Sequence, residues 1–425
     1  MSEEHGPPRA PTGTHDVMPP ESSRWEALLA LFAELAERYG FHMVHTPLFE
    51  DARVFQRGIG ATSEVVGKEM YEFTDRGGRQ LALRPEGTAS IVRAFVQHRP
   101  AVPFRAWYAT PSFRYERPQA GRYRQHHQVG VEALGTEDPD VDVEVISLAQ
   151  RFFESLGLSR FSLRVNSMGD QECRPAYIEQ LRSYLAERQS LLCDEHAERF
   201  KDNPLRVLDC KKPGCLAATE DAPMLIDSLC EPCRRHHQRV LEGLAAAGID
   251  AGADDRLVRG FDYYTRTTFE FASGALEGAQ NAIGGGGRYD GLVELLGGPP
   301  TPGIGFGIGI ERVLLACDAE AQFAIDQPSP VAFVIDVTGG AAARDLVAEL
   351  RRLGLYVERS YGDRSLKAQF KAADRSGARM ALLIGSEELA QESVTIRALR
   401  DERPQTTLAI RDLLEGVATT GEITW

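Results

Sequence analysis

The period of hydrophobic positions changes along the chain, and each change marks a different kind of element. Trp25, Leu28, Leu29, Phe32, Leu35 and Tyr39 recur every three or four residues, so they share one stripe of a helix that Gly40 ends. Ser23 and Glu26 have the spacing of a capping box at its start. FHMVHTPLFE, residues 41–50, predicts a strand interrupted at Pro47. LALRPEGTASIVRAFV, residues 81–96, predicts a strand, a turn carrying Glu86 and a helix starting near Thr88. Two apolar runs, PFRAWYATPSF and VGVEAL, then flank a stretch with turn residues Pro118 and Gly121. This predicts strand, loop, strand, with Gln128, Gly130 and Glu132 alternating on one face of the second strand. Residues 142–156 predict a long amphipathic helix.

From about residue 169 to 253 the pattern turns helical, with Leu181, Tyr184 and Leu185 at helical spacing. GIGFGIGIERVLLA, residues 303–316, predicts a glycine-alternating strand running into a helix. Gly305, Gly307 and Gly309 share a face there and leave room for a flat ligand against bare backbone. After a proline-containing linker at residues 322–330, strands (VAFVIDV, LYVERS, ALLIG, SVTIRAL) alternate with helices at 341–353 and 365–376. That alternation predicts a small α/β domain with a mainly parallel sheet.

A length of 425 residues implies two or three domains. A hydrophobic share of 43% suits a globular protein. The apolar runs are too short for a membrane span and the N-terminus lacks a signal-peptide core, so a cytoplasmic protein without a membrane partner is expected. Seven cysteines in such a chain argue against a disulfide framework. The net charge of −14 speaks against a non-specific nucleic-acid binder. Within this acidic chain, Arg114, Arg117, Arg122 and Arg124 crowd the loop between the two apolar runs. Arginine almost without lysine, beside the carboxylate of Glu132, points to bidentate phosphate recognition rather than to a solvated surface hairpin.

Three stretches together carry a resemblance to a known family. FRYERPQ with RYRQHHQVGVE resembles motif 2 of class II aminoacyl-tRNA synthetases, in the form found in histidyl-tRNA synthetases. LVRGFDYYTRTTFE and AIGGGGRYDGL, residues 257–270 and 282–292, resemble two signature peptides of that family, and residues 303–316 resemble motif 3. The resemblance implies an α+β catalytic domain over residues 1–325, built on the class II antiparallel sheet with helices. It also implies a mainly helical insertion at about 170–254 and an α/β anticodon-binding domain over 326–425. The first helix and strand would be motif 1, which builds the homodimer interface in class II synthetases. The implied activity joins L-histidine to tRNA(His) through a histidyl-adenylate, using ATP with Mg2+.

The resemblance assigns residues to that activity. Arg114 would hold the α-phosphate, with Arg259 opposite it where other class II enzymes place a metal ion; these two are the expected catalytic residues. Glu116, His126 and Arg312 would complete the ATP site, His126 standing where many relatives stack an aromatic residue on adenine. Glu86 and Thr88 would hold the amino group of histidine, and Gln128 its carboxylate. Glu132, Tyr263, Tyr264 and Tyr289 would line the imidazole pocket, approached by Arg288 beside Tyr289. Arg117 and Gln119 would meet the tRNA acceptor end, all the more because Thr12 stands before Gly13 where many relatives are basic.

Cys210-x4-Cys215 and Cys230-x2-Cys233 form two pairs at metal-like spacing. They are read either as one structural zinc site with four thiolates, or as unconnected thiols; Cys193-x2-His196 offers other ligands. A non-enzymatic reading also competes: the regulatory subunit of ATP phosphoribosyltransferase reuses this fold to sense histidine. Such paralogues typically lose the arginine of LVRGFDYY and the C-terminal domain, and this chain has both. A class II synthetase for another amino acid fits less well, because Glu132 and the tyrosines suit a hydrogen-bonding ring.

Overall fold

The computed structural model describes residues 7–425 apart from 61, 62, 64, 259 and 278–280, so Arg259 lies outside the described residues. Contacts divide the chain into two compact units, residues 1–325 and 326–425.

The strands of the first unit are β1 (His42–Met43), β2 (Phe49–Asp51), β3 (Glu72–Thr74), β4 (Gln80–Leu83), β5 (Phe104–Phe113), β6 (Gln125–Leu134), β7 (Phe161–Ser167), β8 (Ala251–Ala253), β9 (Thr265–Ser273), β10 (Ala282–Arg288) and β11 (Gly303–Gly309). Eight of them form one sheet in the order β1-β5-β6-β11-β10-β9-β7-β8, while β2, β4 and β3 form a small separate sheet. The large sheet is antiparallel throughout its centre and parallel only at its two edges, β1–β5 and β7–β8.

Period-two alternation gives that sheet two different faces. Val129, Val131 and Ala133 of β6 join Ile304, Phe306 and Ile308 of β11 in the main core. Two helices cover this face, Glu21–Arg38 with Trp25, Leu28, Phe32 and Leu35, and Pro139–Ser155 with Val145 and Phe152. Phe32 meets Phe152 edge to face at 5.1 Å between ring centres. The intervening residues, Gln128, Gly130 and Glu132 with Gly305, Gly307 and Gly309, therefore point to the other face.

The first helix begins at Glu21 behind Pro20 and no side chain caps it, so the Ser23–Glu26 capping box does not form. Both residues already lie inside the helix, one turn past the start. The long helix starts earlier than its apolar pattern, at Pro139, because Asp138 caps it by accepting from the Asp140 N–H at 3.1 Å.

Between β7 and its sheet neighbour β9 the chain leaves and returns. The excursion holds the helices Arg174–Ala186, Asp194–Arg199, Leu205–Leu208, Pro213–Ala218 and Glu231–Ala246. The last of these belongs to two cores. Val240 and Leu244 join the main core, while Cys233 near its start joins a separate cluster around Tyr177, Leu181, Leu185 and Phe200.

The second unit has β12 (Ala332–Asp336), β13 (Val357–Arg359), β14 (Met380–Ile384), β15 (Ser393–Ala398) and β16 (Thr406–Ala409), in the order β13-β12-β14-β15-β16. Pairings around β12 are parallel, whereas β14–β15 and β15–β16 are antiparallel. The sheet is thus evenly mixed and not mainly parallel. The connections after β14 are too short for a right-handed crossover, so the chain turns back on itself.

Candidate active site

Glu132 is the centre of the site face. It is fully buried, and its cross-strand neighbours are both small, Ala106 on β5 and Gly305 on β11. Three hydroxyls donate to its carboxylate. Thr88 Oγ1 reaches Oε1 at 2.7 Å, Tyr108 OH reaches the same oxygen at 3.3 Å, and Tyr289 OH donates to Oε2. Two carboxylate oxygens accept about four hydrogen bonds, so roughly one acceptor position on Oε2 is left. Burial pushes the Glu132 carboxyl up to about 8, opposed by the bonds from Tyr289 and Thr88.

The flanking glycines explain how a carboxylate fits into a sheet face. A Cβ on Gly305 would lie 1.8 Å from Glu132 Oε2, and one on Gly130 would lie 2.4 Å from Tyr108 OH. The expected slot over the β11 glycines is therefore partly filled from within. Glu132 occupies the space over Gly305, and Gln128 lies over Gly307 with Nε2 3.2 Å from where a Cβ would stand. Only Gly309 faces open space.

Glu86 closes the side of the pocket next to Thr88. Its carboxylate accepts from the Thr88 N–H at 2.5 Å and the Ala89 N–H at 2.8 Å, capping the helix Thr88–His98. Gly87 holds the N-cap position without a side chain, so Glu86 just before it serves the first two N–H groups of the helix, and the Thr88 side chain reaches Glu132. Burial raises the Glu86 carboxyl above its ordinary range. The tyrosines gather opposite: ring centres are 4.7 Å apart for Tyr263–Tyr264 and 5.8 Å for Tyr263–Tyr289, all three buried. Gln128 accepts from Ser112 Oγ at 3.3 Å.

The arginine-rich segment lies at the ends of β5 and β6. Arg114 donates from Nε to Pro85 O at 3.0 Å and lies 5.6 Å over the Phe261 ring. Arg312, two residues into the helix Ile310–Ala319, donates to Gly121 O at 3.1 Å and Ala282 O at 2.9 Å. Half-buried His126 is pushed down to about 3 by burial and then by the charges of Arg114, His127 and Arg312, so its ring is neutral. Glu116 pairs with Arg122 at 3.1 Å and steadies the loop, whose tip leaves Arg117 and Gln119 exposed. The peptide before the first helix lies on this loop: Arg124 N–H donates to Gly13 O at 2.8 Å, and His15 packs on Tyr123 at 4.5 Å.

Arg288 is not in the pocket. It is wholly buried on the other face, paired with Asp142 at 2.8 Å and donating to Thr136 O and Asp138 O. Strand alternation requires this, since Arg288 and Tyr289 are adjacent and point opposite ways. The four cysteines Cys210, Cys215, Cys230 and Cys233 do not meet either. Cys210 and Cys215 gather with Cys193 and His196, whereas Cys230 and Cys233 gather with Cys173 and Asp170.

Several residues of the site escape a reading of the sequence. Tyr108 looks like one more apolar strand position; its signal is the pair Gly87 and Gly130, both too close to its ring to carry a side chain. Glu311 ties motif 3 to motif 2 by accepting from the His127 N–H at 2.9 Å and facing its ring nitrogen Nδ1 at 2.9 Å. Phe261 bridges the two halves, under Arg114 and 5.3 Å from Tyr263.

The same residues can be compared with known proteins. A family model described as histidyl-tRNA synthetase matches residues 13–313, and one described as anticodon binding domain matches residues 332–420. The chain belongs to the histidyl-tRNA synthetase family. A protein of Moorella thermoacetica named histidine–tRNA ligase is 49% identical over 398 residues, covering 92% of this chain and 93% of that one. One of Anaeromyxobacter dehalogenans with the same name is 46% identical and covers 96% of this chain and 98% of its own. Apo histidyl-tRNA synthetase of S. aureus has the same fold, with a TM-score of 0.81, 33% identity and coverage of 96% and 99%. A structure from Bacillus halodurans titled ATP phosphoribosyltransferase regulatory subunit/histidyl-tRNA synthetase shares the fold at a TM-score of 0.62 and 21% identity, covering 86% of this chain. Likeness at that level speaks for fold alone.

Proposed function

We infer that this chain activates L-histidine with ATP, releasing pyrophosphate, and transfers the histidyl group from the adenylate to the 3′ end of tRNA(His). Family membership over nearly the whole length supports the reaction. The observation that carries the substrate is the buried Glu132, held by three hydroxyls with about one acceptor position left, beside an arginine-lined end of the sheet.

An imidazole has one N–H and one bare nitrogen. Glu132 serves either: ionised it accepts the N–H, and protonated it donates to the bare nitrogen. Tyr263, Tyr264 and Tyr289 wall the ring. Glu86, held in place by the Thr88 and Ala89 N–H groups, takes the ammonium group with Thr88 standing beside it, and Gln128 lies along the strand toward the carboxylate end. Adenine stacks on neutral His126 and the Arg312 guanidinium, with Glu116 holding the loop around the nucleotide. ATP enters with Mg2+, as aminoacyl-tRNA synthetases use it in general. The substrate carboxylate is already a nucleophile, so no general base is required. Positioning and fixed positive charge carry the rate. Arg114 meets the α-phosphate, and Arg259 supplies the second guanidinium as pyrophosphate leaves.

Arg117 and Gln119, exposed at the loop tip, meet the acceptor end, and the second unit takes the anticodon. Exposed Met43, Phe49 and Phe73 on and beside the small sheet suit a homodimer contact. Among the described residues no helix is long and apolar enough to cross a membrane, and a tRNA substrate supports a cytoplasmic location. Aminoacylation of tRNA(His) with labelled histidine tests the reading. Charging is expected; histidine binding without charging would assign the chain to the sensing paralogues.

A further inference from the structure

We propose that the excursion between β7 and β9 holds two zinc ions per chain, in two separate sites of different composition. One site is Cys193, His196, Cys210 and Cys215; the other is Asp170, Cys173, Cys230 and Cys233. In each set, one ligand atom from every residue lies within 4.8 Å of all the others.

The separations match a tetrahedron. With Zn–S near 2.3 Å and Zn–N or Zn–O near 2.0–2.2 Å, ligand atoms at tetrahedral corners stand about 3.5–3.8 Å apart. In the first set, His196 Nδ1 is 3.3 Å from Cys193 Sγ and 3.6 Å from Cys215 Sγ. In the second, Asp170 Oδ1 is 3.5 Å from Cys173 Sγ and 3.7 Å from Cys230 Sγ. Three sulfurs with one nitrogen or one carboxylate oxygen are a donor set for zinc rather than for magnesium or calcium. Backbone N–H groups already point at the sulfurs, as they do around thiolate ligands: Cys193 N–H to Cys215 Sγ at 3.3 Å, and Asp170 N–H to Cys173 Sγ at 3.4 Å.

The segment has a structural reason to need metal. Between residues 189 and 228 the longest helix has six residues, too short to be stable alone, and the cysteines of both sets sit in the apolar cluster on which these short helices pack. The two sites do different work. The first ties the helix Asp194–Arg199 to Pro213–Ala218 within the excursion. The second ties its entry, at the start of the helix Arg174–Ala186, to its exit, at the start of Glu231–Ala246. The entry in turn is fixed to the catalytic sheet: Arg266 N–H donates to Gly169 O at 2.7 Å, and its guanidinium lies 3.8 Å from Asp170 Oδ2. Arg174 donates to Tyr264 O at 2.7 Å, so the second site adjoins the tyrosine wall.

The test is metal analysis by mass spectrometry of the full chain, purified without added zinc or chelator, with release by a thiol-blocking mercurial followed colorimetrically. Two zinc ions per chain are expected in the wild type, one in Cys215→Ser, one in Cys233→Ser, and none when both are replaced. Cobalt substitution of the wild type, which needs no variant to fold, should give thiolate charge-transfer bands for two tetrahedral sites. A wild-type protein with one ion or none, or with a disulfide joining Cys193 and Cys215, overturns the proposal.

Discussion

Glu132 is ionisable, buried and encircled by hydroxyls, so its protonation state is coupled to the folding of the protein. Its carboxyl is raised from 4.5 to about 8, chiefly by burial. Between those values the folded chain holds a proton that the unfolded chain has lost, so stability falls as pH rises through this window and the effect vanishes below pH 4.5. His126 acts oppositely: held down at about 3, it takes stability away as pH falls below its ordinary 6.5. The interval from pH 6.5 to 8 is therefore set by Glu132 rather than by His126. Denaturation across it should show wild-type stability declining with pH and Glu132→Gln declining less; parallel curves would mean that Glu132 is already ionised. In kinetics, Glu132→Ala should raise the histidine KM steeply and blunt discrimination. A site that reads a substrate by hydrogen bonds rejects analogues by about 10⁴ or more, because its own polar groups are otherwise left unpaired. Unchanged histidine kinetics in that variant would remove Glu132 from the pocket.

The strand β11 alternates two tasks, and its glycines are not equivalent. Ile304, Phe306 and Ile308 hold the core, while Gly305 makes room for Glu132 and Gly309 faces open space. A Cβ at Gly305 must displace the carboxylate or the Val131 carbonyl 2.4 Å away, and overpacking of this kind costs about 1–3 kcal/mol. Gly305→Ala should raise the histidine KM with little effect on that for ATP, and Gly309→Ala should do the reverse. Equal effects on both substrates would contradict the division of the strand. The elements themselves were legible in the sequence because period two and period 3.6 report burial directly, as on β6 and in the helix from Glu21. Partners across the sheet were not. The sequence shows glycine at 305 and glutamate at 132, but only the register Gly305↔Glu132 shows that one exists for the other. The same limit joined Cys210 and Cys215 to Cys230 and Cys233 by spacing, when folding groups each pair with residues from elsewhere. It also turned Arg288 toward a pocket that strand alternation turns it away from.

At the scale of the whole molecule, a body of net charge −14 must work on polyanions. Screening confines charge to about 8–10 Å at physiological salt, so a few arginines at the ends of β5, β6 and β11 suffice locally without a basic surface. The fold by itself does not distinguish a ligase from a histidine sensor, since it is shared with a structure titled ATP phosphoribosyltransferase regulatory subunit/histidyl-tRNA synthetase. What separates an enzyme from a sensor is whether the arginines proposed to bind phosphate and the proposed Glu132 pocket act on the same bound pair of substrates. Exchange of labelled pyrophosphate into ATP, measured with each of the twenty amino acids in turn and without tRNA, examines this directly. The structure predicts exchange with L-histidine and none above background with the others. Histidine binding without exchange, or exchange driven by a different amino acid, would contradict it.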